Sequence, residues 1–259
     1  MKQRLSIVKI GGNVIEDTQQ LSHLLALFAK MEGHKILVHG GGKKATQIGN
    51  RLGIEAKMTN GRRITDAESL DVTLMVYAGL VNKTIVAQLQ ALDCNAIGMS
   101  GADGNAIKAH KRPVKTIDFG FVGDVDGVNS KNISALLNAH FTPVFCALTH
   151  NGKGQLFNTN ADTIAAELAI GMSNTYETTL YYCFEKKGVL RTIEDENSVI
   201  QHIDSKKYKI LLSDGIIADG MLPKMHNCFH ALQQNVKQVC IGNSTMLENI
   251  PSNFTTLTL

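Results

Sequence analysis

The sequence predicts an α/β fold built on a mostly parallel sheet. Apolar runs of strand length alternate with amphipathic segments of helical period through the first two thirds of the chain, and glycine-containing turns join them. Strands that alternate with helices pair in parallel, because each helix carries the chain back across the sheet. With 259 residues and 44% hydrophobic content, the chain can form one large or two small domains.

The individual elements follow from local patterns. The apolar run at 5–10 predicts the first strand, and the first helix runs from about residue 18 to Gly33 because its leucines recur on one face. The later strands are predicted at 35–39, 94–99, 143–148, 178–184 and 236–241, and the later helices at about 42–53, 66–92, 160–172 and 220–234. Alternating apolar residues between 102 and 128 predict hairpins, and the charged segment 185–199 predicts a loop or a small hairpin.

The composition of the chain indicates which partners to expect and in which compartment the protein resides. The 26 Lys and Arg residues against 23 Asp and Glu residues give a net charge of +3, without a basic run or an aromatic-interleaved patch. Nucleic acid is therefore not expected as a partner. The chain opens without a long apolar export segment, and no apolar stretch approaches the roughly 20 residues of a membrane span. We expect a soluble cytoplasmic protein that does not bind membranes.

Cysteine and histidine usage gives no sign of a protein-bound metal or of redox chemistry. The five cysteines are widely spaced and include no Cys-x-x-Cys pair. His226 and His230 have the i, i+4 spacing of zinc ligands on a helix, but Asn227 stands where a zinc protease has Glu. No third ligand is evident, so we predict that the protein itself holds no metal.

Glycine-rich turns follow the first two predicted strands, at Gly11–Gly12 and at Gly40–Gly41–Gly42. Such turns allow backbone N–H groups to approach an anion closely, with the positive end of a helix dipole behind them. The simpler interpretation is a tight strand-to-helix turn. The second turn also satisfies the dinucleotide pattern G-x-G-x-x-A, but the acidic residue expected about 20 positions later is not clearly present.

Two lysines occupy unusual positions. Lys9 interrupts the apolar strand just before Gly11, and a buried ammonium is costly unless it meets an anion. The alternative is an edge strand on which Lys9 faces water. Lys224 falls in the first turn of the helix predicted at 220–234, where a cation opposes the helix dipole unless an anionic ligand is near. An ordinary exposed lysine is the alternative there.

Polar residues also gather before two of the predicted helices. Asn160 is a natural N-cap, and Asp162 in the first turn complements the helix dipole. That explanation leaves Asn158 unexplained. Arg62 and Arg63 precede the long helix at 66–92, and they form either surface charges or a fork for a carboxylate.

Taken in order, these segments resemble the amino acid kinase superfamily. The matching segments are Lys9-x-Gly11-Gly12, His39-Gly40-Gly41-Gly42 and Asn60-Gly61-Arg62-Arg63-Ile64-Thr65. Two more narrow the resemblance to the branch that phosphorylates N-acetyl-L-glutamate: Asn158-x-Asn160-Ala161-Asp162 and Asp219-Gly220-Met221-x-x-Lys224. The resemblance covers nearly the whole chain, and its specificity lies in the order and spacing of the segments.

The resemblance implies a three-layer α/β/α sandwich with an open, mostly parallel central sheet. It implies an N-terminal lobe, residues 1–173, for the acyl-amino acid and for dimerisation, and a C-terminal lobe, residues 174–259, for ATP. The implied reaction transfers the γ-phosphoryl group of ATP, with Mg²⁺ on its phosphates, to the side-chain carboxylate of N-acetyl-L-glutamate in arginine biosynthesis. A carboxylate is ionised at neutral pH and needs no general base.

The resemblance also implies roles for individual residues. Lys9 and Lys224 would stabilise the transferring phosphoryl group, and Asp162 would hold both lysines in place. Acyl-glutamate contacts are expected from Gly41, Gly42, Arg63 and Asn158, with Arg63 on the α-carboxylate. Phosphate or ATP contacts are expected from Gly11, Gly12, Glu185, Ile216, Ile217, Ala218 and Gly220. The glycines of both turns would donate N–H groups to phosphate or to developing charge.

One segment departs from the family pattern. Where the family has Thr/Ser-Asp-Val/Ala after the strand at 178–184, this chain has Phe184-Glu185-Lys186-Lys187. Glu185 would replace the acidic member. The departure motivates an alternative function, a catalytically inactive sensor of an amino acid or nucleotide, although Lys9, Asp162 and Lys224 are all retained.

Three further alternatives concern the substrate. N-succinyl-L-glutamate differs from the acetyl compound only at the far end of the acyl group. Family members that act on a carbamate, a nucleoside monophosphate or an isoprenoid phosphate are disfavoured by Arg63 and Asn158, which suit an amino-acid-derived substrate. An NAD-dependent dehydrogenase built on Gly40–Gly41–Gly42 is the most distant alternative.

The resemblance finally implies a quaternary structure. Arginine-inhibited family members carry an extra N-terminal helix that links dimers into a ring, whereas Lys9 comes almost at the start of this chain. We therefore expect an arginine-insensitive homodimer with the helix at 66–92 in its interface. That helix carries an apolar stripe, formed by Leu70, Leu74, Ala78, Val81, Ile85 and Leu89. Core packing alone would explain this stripe equally well.

Overall fold

The computed structural model describes residues 2–59, 61–192, 194–217, 221–248 and 253–259. The chain divides into two compact units. The first unit consists of Met1–Ile36 together with Ala165–Leu259, and the second unit is Leu37–Ile164. The functional lobes 1–173 and 174–259 remain a prediction, because compactness does not report which ligand each part binds.

Strands and helices alternate along most of the chain. The strands are β1 (Arg4–Ile10), β2 (His34–His39), β3 (Met58–Thr59), β4 (Arg62–Arg63), β5 (Ala96–Met99), β6 (Ile107–Lys111), β7 (Gly123–Val128), β8 (Thr142–Cys146), β9 (Leu148–His150), β10 (Leu156–Asn158), β11 (Glu177–Cys183), β12 (His202–Ile203), β13 (Gln238–Gly242) and β14 (Thr255–Leu257). The α-helices are α1 (Gly12–Glu16), α2 (Thr18–Lys30), α3 (Gly42–Arg51), α4 (Ala67–Thr73), α5 (Asn82–Gln90), α6 (Ser130–Asn138), α7 (Ala161–Ser173), α8 (Ser205–Ser213) and α9 (Met221–Gln233).

The α/β class with a mostly parallel sheet is confirmed in both units. In the first unit β1 pairs in parallel with β11, β11 pairs in parallel with β13, and β14 joins β13 in antiparallel orientation. In the second unit β8 pairs in parallel with both β2 and β5. The predicted hairpin between 102 and 128 is the antiparallel pair of β6 and β7, which β9 and β10 extend to a four-stranded sheet.

Burial explains why the predicted strands and the first helix form. Every residue of β8 is buried, as expected for a parallel strand covered on both faces. Helix α2 buries Leu21, Leu24, Leu25 and Phe28. Its first turn is capped by Asp17, whose carboxylate accepts hydrogen bonds from the backbone N–H groups of residues 19 and 20 at 3.0 Å.

The helix predicted at 66–92 is continuous from Ala67 to Gln90 but changes its winding. A π-helical segment, Leu74–Val81, separates α4 from α5. Because each π turn holds about one residue more than an α turn, the buried face shifts along the helix. Val81, Ile85 and Leu89 of the predicted stripe are buried, whereas Leu74 is 37% exposed and Val76 takes its place in the core. The N-cap is Asp66, whose carboxylate accepts from the Ser69 N–H.

The expectation that no segment is long and apolar enough to span a membrane is wrong for this helix. Ala67–Gln90 has 24 residues, and an 18-residue window within it reaches a mean hydropathy of 1.3 with 39% of that window buried. Length and composition alone thus admit a span. One such helix carries little weight, because the core helix of a soluble protein passes the same test.

Candidate active site

The glycine turn of the second unit connects β2 to α3 in a conformation that requires glycine. Gly41 has φ 152° and ψ 16°, and a Cβ at this position would lie 2.9 Å from the Cδ1 atom of Tyr77. A side chain would therefore be both strained and sterically blocked. Because α3 begins at Gly42, the backbone N–H groups of its first turn surround the end of the turn.

Arg63 lies against this glycine turn. Its Nη2 atom donates to the Gly42 carbonyl at 2.9 Å and to the Thr46 hydroxyl at 2.7 Å. The Tyr77 side chain lies near Arg63: burial raises the pKa of its phenol, and the Arg63 charge acts in the opposite direction. Arg63 is half-buried while Arg62 is exposed, which favours the carboxylate fork for Arg63. A guanidinium has five N–H donors, so donors remain for a ligand.

Asn158 is tied to the segment that carries Arg63. Its Nδ2 atom donates to the Thr65 hydroxyl at 3.0 Å, and Thr65 is fully buried two residues after Arg63. Asn158 is the last residue of β10, and its backbone N–H donates to the Phe121 carbonyl. The structure thus gathers Gly41, Gly42, Arg63 and Asn158 in one part of the second unit.

The start of helix α7, which carries Asp162, borders the glycine turn. Asp162 lies in the first turn of α7, and Asn160 caps that turn as predicted, because its Oδ1 atom accepts from the N–H groups of Asp162 and Thr163 at 2.8 and 3.1 Å. A Cβ at Gly40 would lie 3.7 Å from the Cβ of Ala161. The role of Asp162 in holding two lysines stays a prediction, since Asp162 belongs to the second unit and both lysines to the first.

In the first unit, both candidate lysines border Tyr182. Lys9 is directly opposite Tyr182 in the parallel pair of β1 and β11, so the two side chains project from the same face of the sheet. The Nζ atom of Lys224 lies 5.3 Å from the ring centroids of Tyr182 and of Phe184. Both lysines are half-buried, unlike the water-facing lysines of the simpler interpretation.

Phe184 therefore has a physical explanation at its unusual position. The aromatic face carries negative electrostatic potential and attracts an ammonium group at this distance. The departure from Thr or Ser supplies Lys224 with a second aromatic neighbour beside Tyr182. The altered segment is consistent with a functional lysine and gives no support to loss of the site.

The two glycine N–H groups in the turn of the first unit have different roles. The N–H of Gly11 donates to the Cys183 carbonyl at 2.8 Å, and a Cβ at Gly11 would lie 3.1 Å from the same oxygen. Gly11 therefore serves the close approach of the turn to β11, and its N–H is engaged within the fold. Gly12, the exposed first residue of α1, is the member of this turn that can face a phosphate.

The other predicted nucleotide contacts differ in their surroundings. Glu185 is exposed and lines a cavity of about 250 Å³ together with Phe184 and Asn243. Ile216 is half-buried, and Ile217 is a core residue at 2% exposure. Ala218 and Gly220, like Asp219 of the same motif, lie outside the described residues.

Within the described ranges, no three or more His, Cys, Asp or Glu side chains gather as a metal site. His230, one of the two histidines with zinc-like spacing, has its Nε2 atom 3.8 Å from the Glu167 carboxylate. Desolvation raises the pKa of Glu167. This is an ordinary contact between α7 and α9.

Some residues of the site carried no signal in the sequence. Tyr77, Thr46 and Thr65 all contact Arg63 or Asn158. Tyr77 lies in an apolar helical segment, where a tyrosine indicates core packing. Thr46 is an ordinary residue of helix α3, and Thr65 stands only at the end of the segment that carries Arg63, with no role of its own. Only the three-dimensional contacts identify them.

The fold and the sequence together define a kinase of the amino acid kinase family. The sequence profile of the amino acid kinase family matches residues 4–243, and the chain belongs to this family. Membership of a kinase family implies ATP as the phosphoryl donor.

The similar relatives share one name, acetylglutamate kinase. That of Phocaeicola vulgatus is 54% identical over 241 residues, which cover 93% of this chain and 94% of the relative. That of Bacteroides fragilis is 52% identical, with 93% and 92% covered. That of Brachyspira hyodysenteriae is 35% identical, with 94% and 84% covered.

Solved structures share the fold at low identity. N-acetylglutamate synthase from Neisseria gonorrhoeae, complexed with coenzyme A and N-acetyl-glutamate, superposes with a TM-score of 0.83 at 19% identity, over 99% of this chain and 59% of that one. Giardia carbamate kinase superposes with a TM-score of 0.70 at 12% identity, over 99% of both chains.

Proposed function

We propose that this protein is an acetylglutamate kinase that transfers the γ-phosphoryl group of ATP to the side-chain carboxylate of N-acetyl-L-glutamate, in arginine biosynthesis. The observation that carries the proposal is the half-buried Arg63, held on the Gly42 carbonyl beside a turn that only glycine can form. A guanidinium in that place suits the α-carboxylate of a small amino acid derivative. The name shared by relatives at 52–54% identity supports the same substrate.

The reaction needs charge stabilisation and positioning. A side-chain carboxylate oxygen attacks the γ-phosphorus, the bond to the β,γ-bridging oxygen breaks, and that oxygen leaves with ADP. The carboxylate is ionised at neutral pH, so no base is required. Lys9 and Lys224 supply positive charge to the transferring group, and Asp162 orients them. The N–H groups of Gly12, Gly41 and Gly42 complement the oxygens that gain charge.

Nucleotide and magnesium binding are part of the proposal. The ATP contacts proposed in the first unit are Gly12, Glu185, Ile216 and Ile217, with Ala218 and Gly220. We propose that Mg²⁺ arrives on the nucleotide and is held mainly by its phosphate oxygens, which magnesium prefers. In this proposal residues 1–173 bind the acyl-amino acid and residues 174–259 bind ATP.

The proposal extends to assembly and location. Leu74, Met75 and Leu80 project from the 67–90 helix with exposures of 37%, 54% and 47%, which supports a homodimer that buries this face. All five cysteines are free and buried, which agrees with a reducing compartment and supports a cytoplasmic location.

The decisive experiment traps the acyl phosphate with hydroxylamine in the presence of ATP and Mg²⁺. N-acetyl-L-glutamate is offered in parallel with N-succinyl-L-glutamate and with free L-glutamate. A hydroxamate formed most efficiently from the acetyl compound supports the proposal. Preference for the succinyl compound would reassign the substrate. The absence of a hydroxamate with all three compounds would overturn the proposed kinase activity.

Two neighbouring arginines provide a matched test of the substrate contact. Arg63→Ala removes a charge-assisted bond worth about 1.5–3 kcal/mol, so the KM for N-acetyl-L-glutamate should rise on the order of 10- to 100-fold while the KM for ATP stays near its original value. Arg62→Ala, in the same short strand but exposed, should change neither. Equal effects of the two substitutions would contradict the role of Arg63.

A further inference from the structure

A buried histidine stands immediately before the glycine turn of the second unit. His39 is the last residue of β2, and its side chain is fully buried. A histidine in such a position either packs in the core with its nitrogens satisfied or acts on a neighbouring group. Its two hydrogen bonds distinguish these roles.

The hydrogen bonds of Asn82 fix the orientation of its amide. Its Nδ2 atom lies 2.9 Å from the Val144 carbonyl, which only accepts, and its Oδ1 atom lies 3.2 Å from the Lys83 ammonium, which only donates. The second Nδ2 hydrogen is directed at the Nε2 atom of His39, 3.0 Å away. Nε2 is therefore an acceptor.

The other ring nitrogen of His39 then carries the proton. Nδ1 lies 2.7 Å from the Gly40 carbonyl oxygen, an acceptor, so Nδ1–H donates to it. Burial lowers the pKa of the imidazole to about 4, and the nearby Lys83 charge acts in the same direction. The ring is neutral at pH 7, with both nitrogens committed, so it has no free lone pair with which to act as a base.

The consequence concerns the peptide plane between Gly40 and Gly41. In a trans peptide the carbonyl and the following N–H point in opposite directions. A Gly40 carbonyl held by Nδ1–H of His39 directs the Gly41 N–H to the side away from the imidazole. Gly41 has no side chain to restrict its backbone. Its own carbonyl accepts from the Ala45 N–H at 2.8 Å, and the bond from His39 restrains the other end of the turn, the peptide that carries the Gly41 N–H.

We propose that His39 and Asn82 are positioning residues that aim the Gly41 N–H, with Asn82 fixing the tautomer and His39 holding the Gly40 carbonyl. The assignment rests on the proposed function, in which this N–H faces the acyl-glutamate or the charge that develops on it. His39 itself touches neither substrate nor phosphate. It acts through the backbone of the turn.

Two substitutions separate this role from simple core packing. In His39→Asn the amide Nδ2 occupies the place of Nδ1 and can still donate to the Gly40 carbonyl. In His39→Gln the amide reaches the place of Nε2, so it can accept from Asn82 but offers no donor at the δ position. Glutamine fills the buried volume better than asparagine, so a purely structural role favours His39→Gln.

We expect His39→Asn to keep kcat for acyl phosphate formation within about threefold of the unmodified protein, and His39→Gln to lower it about tenfold or more, as for a misdirected oxyanion donor. The KM for ATP should be unchanged in both variants. Equal losses in kcat, or a smaller loss in His39→Gln, would overturn the proposal.

Nuclear magnetic resonance provides a readout that does not depend on activity. In the unmodified protein the ¹⁵N spectrum should show His39 as the neutral Nδ1–H tautomer at pH 7. The Gly41 amide resonance should move in His39→Gln and stay near its position in His39→Asn. A protonated Nε2, or a Gly41 resonance indifferent to both variants, would overturn the assignment. If no acyl phosphate forms at all, the proposed function fails, and these spectra alone decide whether His39 orients the turn.

Discussion

At the scale of the residue, the two lysines of the first unit illustrate how a cation is held in a half-buried position. Lys224 is stabilised by the faces of Tyr182 and Phe184, at 5.3 Å from each centroid. Aromatic faces attract an ammonium through their negative electrostatic potential and do not neutralise its charge. A carboxylate in the place of Phe184 would compete with a bound phosphate.

Phe184→Leu removes one of these faces and retains the apolar bulk. Loss of a cation–π contact of about 0.5–2 kcal/mol should lower kcat on the order of three- to tenfold, because Lys224 is held less firmly as charge develops on the transferring group. Phe184→Tyr keeps the ring and should retain most of the activity. The measurement is kcat and both KM values by hydroxamate formation, and a leucine variant as active as the tyrosine variant would contradict the expectation.

At the scale of the element, the helix from Ala67 to Gln90 combines a core face with an exposed apolar face. The α4 and α5 segments bury Val72 and Ile85, while Met75 in the π-helical segment between them is exposed. The longer π turn rotates residues that an uninterrupted α-helix would keep in the core. The result is an apolar surface in the middle of a helix whose two ends are packed.

If two chains associate through this surface, charges placed there should separate them. Met75→Glu combined with Leu80→Lys introduces two charges that a buried interface would have to desolvate. Light scattering after size exclusion should give the mass of one chain for this variant and of two chains for the unmodified protein. Leu52→Lys, at a position 57% exposed outside this helix, should leave the dimer intact. A monomeric unmodified protein would contradict the proposed assembly.

Several elements could be predicted from sequence, and the reasons others could not are physical. Strands β1 and β2 are apolar runs next to glycine turns, β8 is an uninterrupted apolar run, and each strand lies close to its predicted limits. Short strands such as β12 and β14 form only because they pair with each other and with β13. Two or three residues hold too little pattern to reveal a partner distant in the chain.

At the scale of the whole molecule, some residues of the candidate site could be predicted from the sequence and others could not. The glycines, Arg63 and Asn158 stand in segments with unusual composition, and the resemblance to a family marked them. The sequence marks His39 only as part of a motif, and Tyr77 belongs to neither the predicted site nor the predicted stripe of the helix. Their contribution depends on contacts between residues that are distant in sequence, such as His39 with Asn82, 43 positions apart. No local pattern carries that information.

The free energy of unfolding should depend on pH in acid because His39 is neutral in the folded protein. The imidazole pKa is about 4 in the folded protein against an ordinary value of 6.5, so between these pH values the unfolded chain binds the additional proton. The contribution of neutral His39 to the free energy of unfolding is fully present above pH 6.5 and is lost as the pH falls towards 4. By linkage the loss at about pH 5 is about 2 kcal/mol.

Urea unfolding at pH 7 and at pH 5 measures this contribution, with His39→Asn as the control. Carboxylates and other histidines titrate in both proteins, so their effects cancel in the comparison. The stability advantage of the unmodified protein over His39→Asn should shrink by about 2 kcal/mol between the two pH values. An advantage that is independent of pH would show that His39 is not held neutral by burial.

The division of the chain has a consequence for its synthesis. The second unit is one continuous stretch, Leu37–Ile164, whereas the first unit is assembled from Met1–Ile36 and Ala165–Leu259. A ribosome adding 5–20 residues per second therefore releases a foldable second unit while β1 still waits for β11, its partner from residue 177 onward, for on the order of ten seconds. During that interval Ile7, Val8 and Ile10, which are buried in the folded chain, lack their β11 partner, and this exposed apolar segment is one that chaperones can bind.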